Sequence, residues 1–149
     1  MRLSQILRRN NNMKIKSQNG ICQLDIPNTY AYFEKESVIS IHNSNGVGAI
    51  SISSYSIPNN YDFLIVQELL DFAQSIDESV TLNETDVTSS NNCYCFTKFI
   101  DSAGKYWRIW VYYKSNYAAF ATYNCDKADK NIERNEVDMI INSLKLGNV

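Results

Sequence analysis

Hydrophobic and polar positions along this chain switch between a two-residue and a three-to-four-residue period, and each switch marks an element boundary. Ile21-Cys-Gln-Leu-Asp-Ile26 alternates and stops at Pro27, which predicts a first strand. Ser37 to Asn43 predicts a second strand and Gly48 to Ile57 a third, with Ile50 and Ile52 opposed by Ser51 and Ser53. The turn Asn43-Ser-Asn-Gly46 between these two predicts a hairpin. Pro58-Asn-Asn60 then breaks the pattern, and Asn59 or Asn60 is placed to cap a helix. From Tyr61 to Ile76 the period is helical: Ile65, Leu69, Phe72 and Ile76 form a stripe, while Glu68, Asp71 and Gln74 mark the wet side.

The second half repeats the change of period. Thr81 to Val87 predicts a weak polar strand, Thr88 to Asn92 a loop, and Cys93 to Ile100 a strong strand. Asp101-Ser-Ala-Gly104 turns into Lys105-Tyr-Trp-Arg-Ile-Trp-Val-Tyr-Tyr113, and Lys114-Ser-Asn116 turns again into Tyr117-Ala-Ala-Phe-Ala-Thr-Tyr123. After Asn124 a helical stripe of Ile132, Val137, Ile140, Ile141 and Leu144 runs toward Gly147, which reads as its stop. Strands and helices segregated in this way predict an α+β fold: an antiparallel sheet with helices packed on its faces.

The aromatic run has two different faces. Alternation places Trp107, Ile109, Val111 and Tyr113 on one side, the better core, and Tyr106, Arg108, Trp110 and Tyr112 on the other. Tyr, Trp and Arg are the residue types most enriched where interfaces concentrate their binding energy, so the second set is the candidate partner-binding surface. A helix laid over that face would make the same residues core, with Arg108 paired at its edge.

Composition narrows the classes. The 149 residues, 44% hydrophobic and 20% charged, suit one soluble domain, expected over 21–146 behind a leader at 1–20 that is flexible or a short helix. Translation from Met13 instead of Met1 would remove most of that leader. A net charge of −2 gives no bulk attraction to nucleic acid, and no run approaches the ~20 apolar residues that cross a bilayer. The leader lacks the unbroken apolar core of a secretory signal, so the chain is expected in the cytoplasm with its four cysteines as buried free thiols. Cys93-Tyr-Cys95 has the wrong spacing for zinc, and no cofactor motif is present.

Leu24-Asp-Ile-Pro27 with Tyr30, Gly48-Ala-Ile-Ser-Ile-Ser53, Gly104-Lys-Tyr-Trp-Arg-Ile-Trp110, Ala121-Thr-Tyr-Asn124, and Glu136 with Ile140-Ile-Asn-Ser-Leu144 occur in that order. Together they resemble the PsbP-like, Mog-type Ran-binding superfamily of α/β/α sandwiches, over residues 21 to 146. The resemblance implies a curved antiparallel sheet with helices on its faces, and no enzyme chemistry. Members act as accessory or binding proteins, in photosystem assembly or with a small GTPase, and some small bacterial relatives look like immunity proteins. No residue of a Ran-binding or metal-binding motif carries over.

The functional expectation is therefore a non-enzymatic domain that binds a protein partner, such as the cognate toxin of an immunity protein. The expected contact residues are Tyr106, Arg108, Trp110 and Tyr112, with Glu68 and Asp71 from an acidic stretch that also includes Asp62, Asp77, Glu78, Glu84 and Asp86. Such a stretch would steer a basic partner. Two alternatives remain open: a small hydrolase using His42, the chain's one histidine, and a homo-oligomer paired through its aromatic face. Asn45-Gly-Val-Gly48 is too short, and follows the wrong element, to be a phosphate loop.

Overall fold

The computed structural model describes residues 12–90 and 93–147. Ten strands and two α-helices follow one another along it: β1 Asn12–Lys16, β2 Cys22–Pro27, β3 Tyr30–Lys35, β4 Val38–Asn43, β5 Gly48–Ser56, α1 Ile65–Ile76, β6 Thr88–Ser90, β7 Tyr94–Ile100, β8 Lys105–Lys114, β9 Tyr117–Asp126, α2 Arg134–Asn142 and β10 Lys145–Leu146. The large sheet has seven strands in the order β3-β4-β5-β9-β8-β7-β6, with every neighbouring pair antiparallel. A second, three-stranded sheet has the order β1-β2-β10. None of the described helices is long and apolar enough to cross a membrane.

The β8–β9 hairpin is as the aromatic run predicts. Lys114 pairs with Tyr117, and the two turn residues Ser115 and Asn116 take φ of 53° and 65°. Two successive left-handed residues give the turn a twist that matches the strands it joins. Alternation along β8 then feeds two cores, one on each face of the large sheet. On one face Ile109, Val111 and Cys95 meet Leu69 and Ala73 of α1. On the other, Trp110 and Tyr112 join Ile50, Ile52, Ala119, Ala121 and Tyr123 beneath β2 and α2, which contribute Leu24, Ile26, Val137, Ile140 and Ile141. The alanines of β9 leave room for the covering layer, and each fully buried large aliphatic stabilises the fold by roughly 1.5–3 kcal/mol.

Several expectations are corrected. The described part of the leader, 12–20, is no loose segment: β1 pairs along β2 from Asn12 opposite Pro27 to Lys16 opposite Gln23, and buries Ile15. Residues 1–11 lie outside the described residues. A strand at Tyr30–Lys35 went unpredicted because its turn into β4 uses Glu36 and Ser37 at φ of 53° and 66°, with no Asn-Gly signal to announce it. The expected strand at Thr81 to Val87 is instead a 3-10 turn at Glu84–Asp86, and the expected loop at 88–90 is β6. There Asn83 and Asp86 cap each other's backbone amides, which diverts those amides from a sheet ladder.

The helices are shorter than the hydrophobic stripes suggest. α1 begins at Ile65 with Leu64 in the cap position, so neither Asn59 nor Asn60 caps it. α2 begins at Arg134, leaving Ile132 61% exposed, and ends with Ser143 at its C-terminal cap. Gly147 is not the helix stop. It follows β10 and donates its N–H to Ile21 O at 2.8 Å.

Candidate functional site

β8 decides the fate of the expected contact residues. Trp110 is 3% and Tyr112 7% exposed, so both belong to the core and not to a free surface. The reason is coverage: the small sheet and α2 lie over the face that the sequence left open. The Tyr112 phenol donates to Ile141 O at 3.0 Å, and burial pushes its pKa up. Nearer the other end of the same face Tyr106 is half-buried, while the Arg108 side chain is 12% exposed. Arg108 Nη2 donates to Asp138 Oδ1 of α2 at 2.6 Å, and its guanidinium lies 4.8 Å from the Trp110 ring centroid. Arg108 Nη1 is buried without an acceptor among the described residues.

Helix α2 covers β8 and β9 but stops short of β7. In the strand register Tyr94 lies opposite Tyr112, Phe96 opposite Trp110, Lys98 opposite Arg108, and Ile100 opposite Tyr106. Of the β7 residues, Tyr94 and Phe96 are half-buried while Lys98 and Ile100 are exposed. The cleft this leaves between α2 and β7 holds two separate cavities, one on either side of the Arg108–Asp138 pair. At one end is a cavity of about 640 Å³ lined by Tyr94, Tyr112, Lys114, Asn142 and Lys145. At the other is one of about 320 Å³ lined by Lys98, Ile100, Tyr106, Lys130 and Arg134. Arg134, Asp138 and Asn142 recur every fourth residue, which sets them along one stripe of the helix. Tyr94 stacks on Tyr112 with ring centroids 4.9 Å apart.

The start of α2 is held by a carboxylate that the sequence does not advertise. Glu133 is 5% exposed and accepts from Tyr30 Oη at 2.5 Å, Val47 N at 2.8 Å, Gly48 N at 2.9 Å and Tyr123 Oη at 3.2 Å. Burial pushes its pKa up, but these hydrogen bonds outweigh that and hold the carboxyl below its usual range. A Cβ at Gly46 would meet the Glu133 carboxylate at 2.5 Å, and one at Gly48 would stand 2.3 Å from Asn124 O. The Asn45-Gly-Val-Gly48 loop thus does cradle an anion, an internal one. Because Glu133 adjoins Arg134, this clasp fixes the helix end that supplies the cationic wall of the cleft.

Other candidate residues lie elsewhere. Glu68 and Asp71 sit on α1, across the sheet from Tyr106 and Arg108, so the six expected contacts do not form one surface. Glu68 accepts from Tyr61 Oη at 2.5 Å and Asp71 from Gln67 Nε2 at 2.8 Å. Asp77 is held well below the usual carboxylate range because Ser102 N, the Ser79 hydroxyl and Ser79 N all donate to it. Asp77 and Asp86 are turn caps first and surface charges second. His42 is exposed on β4, and its cross-strand neighbours are Ala31 and Ala49, which offer it no orienting carboxylate. Cys22, Cys95 and Cys125 are buried free thiols, whereas Cys93 is exposed, contrary to expectation, at a left-handed φ of 66°. Among the described residues no cluster of His, Cys, Asp and Glu is arranged to hold a metal.

Sequence reasoning missed Tyr94, Phe96, Lys130 and Arg134. The register of β7 on β8 could have suggested the first two, since the Asp101–Gly104 turn fixes which residues face each other. Nothing local could have brought Lys130 and Arg134 to Lys98. Chemically the cleft offers ring faces, phenol donors and fixed positive charge, a set suited to recognition.

No protein-family model matches the chain, and no curated protein sequence does. Solved structures do. A Bacteroides thetaiotaomicron VPI-5482 protein superposes with a TM-score of 0.60 at 15% identity over 92% of this chain, which spans about half, 49%, of that protein's length. Cyanobacterial PsbP (CyanoP) from Synechocystis sp. PCC 6803 gives a TM-score of 0.68 at 7% identity, covering 92% of this chain and 93% of that one. The Saccharomyces cerevisiae Ran-binding protein Mog1p gives 0.59 at 8% identity, covering 91% and 95%. At these identities the likeness shows the fold, which is that of PsbP and Mog1.

Proposed function

We propose that the chain is a binding module that captures a protein partner in the cleft between α2 and β7. One observation carries this reading: the two cavities that flank the Arg108–Asp138 pair are walled by aromatic and cationic side chains, Tyr94, Lys114 and Lys145 in one, and Tyr106, exposed Ile100, Lys98, Lys130 and Arg134 in the other. Aromatic rings beside Arg and Lys are the composition from which interface anchors are built. Membership of a fold shared with the Ran-binding protein Mog1p is compatible with such a role and carries no more weight than that.

A finer reading makes the partner a cognate bacterial toxin and the chain its immunity protein. What supports it is the outer side of α1, where exposed Asp71 and half-buried Glu68 would complement a basic enzyme. The cleft and this acidic side lie on opposite faces of the sheet, so variants separate them. In affinity capture from lysate of the cells that make the protein, the parent chain is expected to retain one stoichiometric partner. Ile100→Asp and Tyr94→Ala should release it, while Asp71→Lys should not. Retention by both cleft variants would discard the cleft, and release by Asp71→Lys alone would move the interface to α1.

A further inference from the structure

The smaller cavity of the cleft gathers cations from segments far apart in sequence: Lys98 on β7, Lys130 in the loop after β9, and Arg134 in the first turn of α2. Among the described residues none of the three forms an ion pair. Yet the chain carries 16 acidic side chains to 14 basic ones, and Lys105 and Arg108 nearby are paired with Asp126 and Asp138. An acid-rich chain that leaves three cations unpaired around one cavity concentrates positive potential there. Arg108 lies opposite Lys98 in the register, its Nη1 buried without an acceptor among the described residues. The remaining wall is mostly apolar, made of Phe99, half-buried Tyr106 and Ile100, which is 53% exposed, with one amide from Asn131.

From this geometry we infer that the cavity receives a carboxylate-bearing segment of the partner protein, an acidic residue beside an aromatic or aliphatic one. Lys98, Lys130 and Arg134 surround the carboxylate, and its apolar neighbour covers Ile100 and Tyr106. The inference rests on the cleft being the binding surface and adds the chemistry of what enters it. A small free anion would leave Ile100 bare. A nucleic-acid backbone extending past the pocket would meet a chain in which acidic residues outnumber basic ones, which opposes extended phosphate contact.

The test is fluorescence anisotropy with a short fluorescein-labelled peptide alternating glutamate and phenylalanine, its glutamine counterpart, and an oligothymidylate. The glutamate peptide is expected to bind, more weakly as salt rises, and the glutamine peptide about tenfold less well. Lys98→Glu and Arg134→Glu should each weaken binding by about tenfold, with unchanged thermal melting because both sites are exposed. The inference is overturned if no peptide binds, if glutamine serves as well as glutamate, if both charge reversals are neutral, or if the oligothymidylate binds more tightly. Salt-sensitive self-association removed by Arg134→Glu would also overturn it, by making a second copy of the chain the occupant. The capture experiment keeps the two readings apart. Loss of partner in Ile100→Asp but not in Arg134→Glu sinks only the charge chemistry, whereas retention in both sinks the cleft.

Discussion

Glu133 shows how much one residue can hold. It ties Tyr30 at the start of β3, Val47 of the β4–β5 loop, Gly48 at the start of β5, and Tyr123 of β9 to the beginning of α2. Removing its charge weakens four hydrogen bonds to a buried carboxylate at once, so Glu133→Gln should destabilise the fold by about 1–3 kcal/mol at neutral pH. The pH dependence follows from the depressed carboxyl. A folded pKa below the unfolded value of about 4.3 contributes stability above that value, and the contribution is lost as pH falls through the folded pKa. The gap between parent and variant should therefore narrow on acidification below about pH 4. Urea unfolding at neutral and acidic pH measures this, and a constant gap would contradict it. In sequence, Glu133 is one acid before a helix. Its phenol partner Tyr30 lies 103 residues away and the Val47 amide 86, so no local pattern exposes its burial.

At the scale of elements, what the chain announces depends on turn chemistry and on apolar run length. β7, β8 and β9 were legible because their runs are long, aromatic and β-branched, and because Asp101–Gly104 and Ser115–Asn116 are recognisable turns. β1 was not, since Asn12-Met-Lys-Ile-Lys16 is five residues long with only Met13 and Ile15 apolar, too short an alternation to announce a strand. Yet Ile15 is 3% exposed, and β1 completes the layer that buries Trp110 and Tyr112. Ile15→Asp would place an unpaired carboxylate in that layer. It should lower stability by about 3 kcal/mol or more. Hydrogen exchange should show β2 amides losing protection along the edge that β1 covers. Unchanged exchange in β2 would mean that β1 is dispensable to the fold.

At the scale of the whole molecule, one seven-stranded sheet separates two cores. Leu69 on α1 and Ile140 on α2 are both fully buried, on opposite faces. Each truncation to alanine should cost about 2–5 kcal/mol. Because the two sites share no partner and lie a sheet apart, the double variant should equal the sum of the singles within about 0.5 kcal/mol. Since β8 and β9 belong to both cores, all three should unfold in one transition by near- and far-ultraviolet circular dichroism. Two separate transitions would mean that the faces fold independently. The sequence by itself determined the α+β class, the central aromatic hairpin, both helices and the two-faced alternation of β8, because side-chain period and turn chemistry are local properties of the chain. It could not determine which face of β8 is free, that a second small sheet would bury Trp110 and Tyr112, or that Lys98, Lys130 and Arg134 would meet beside Ile100. Coverage and convergence depend on contacts between distant segments, and only the folded chain, closing β2 and α2 over the sheet, decides them.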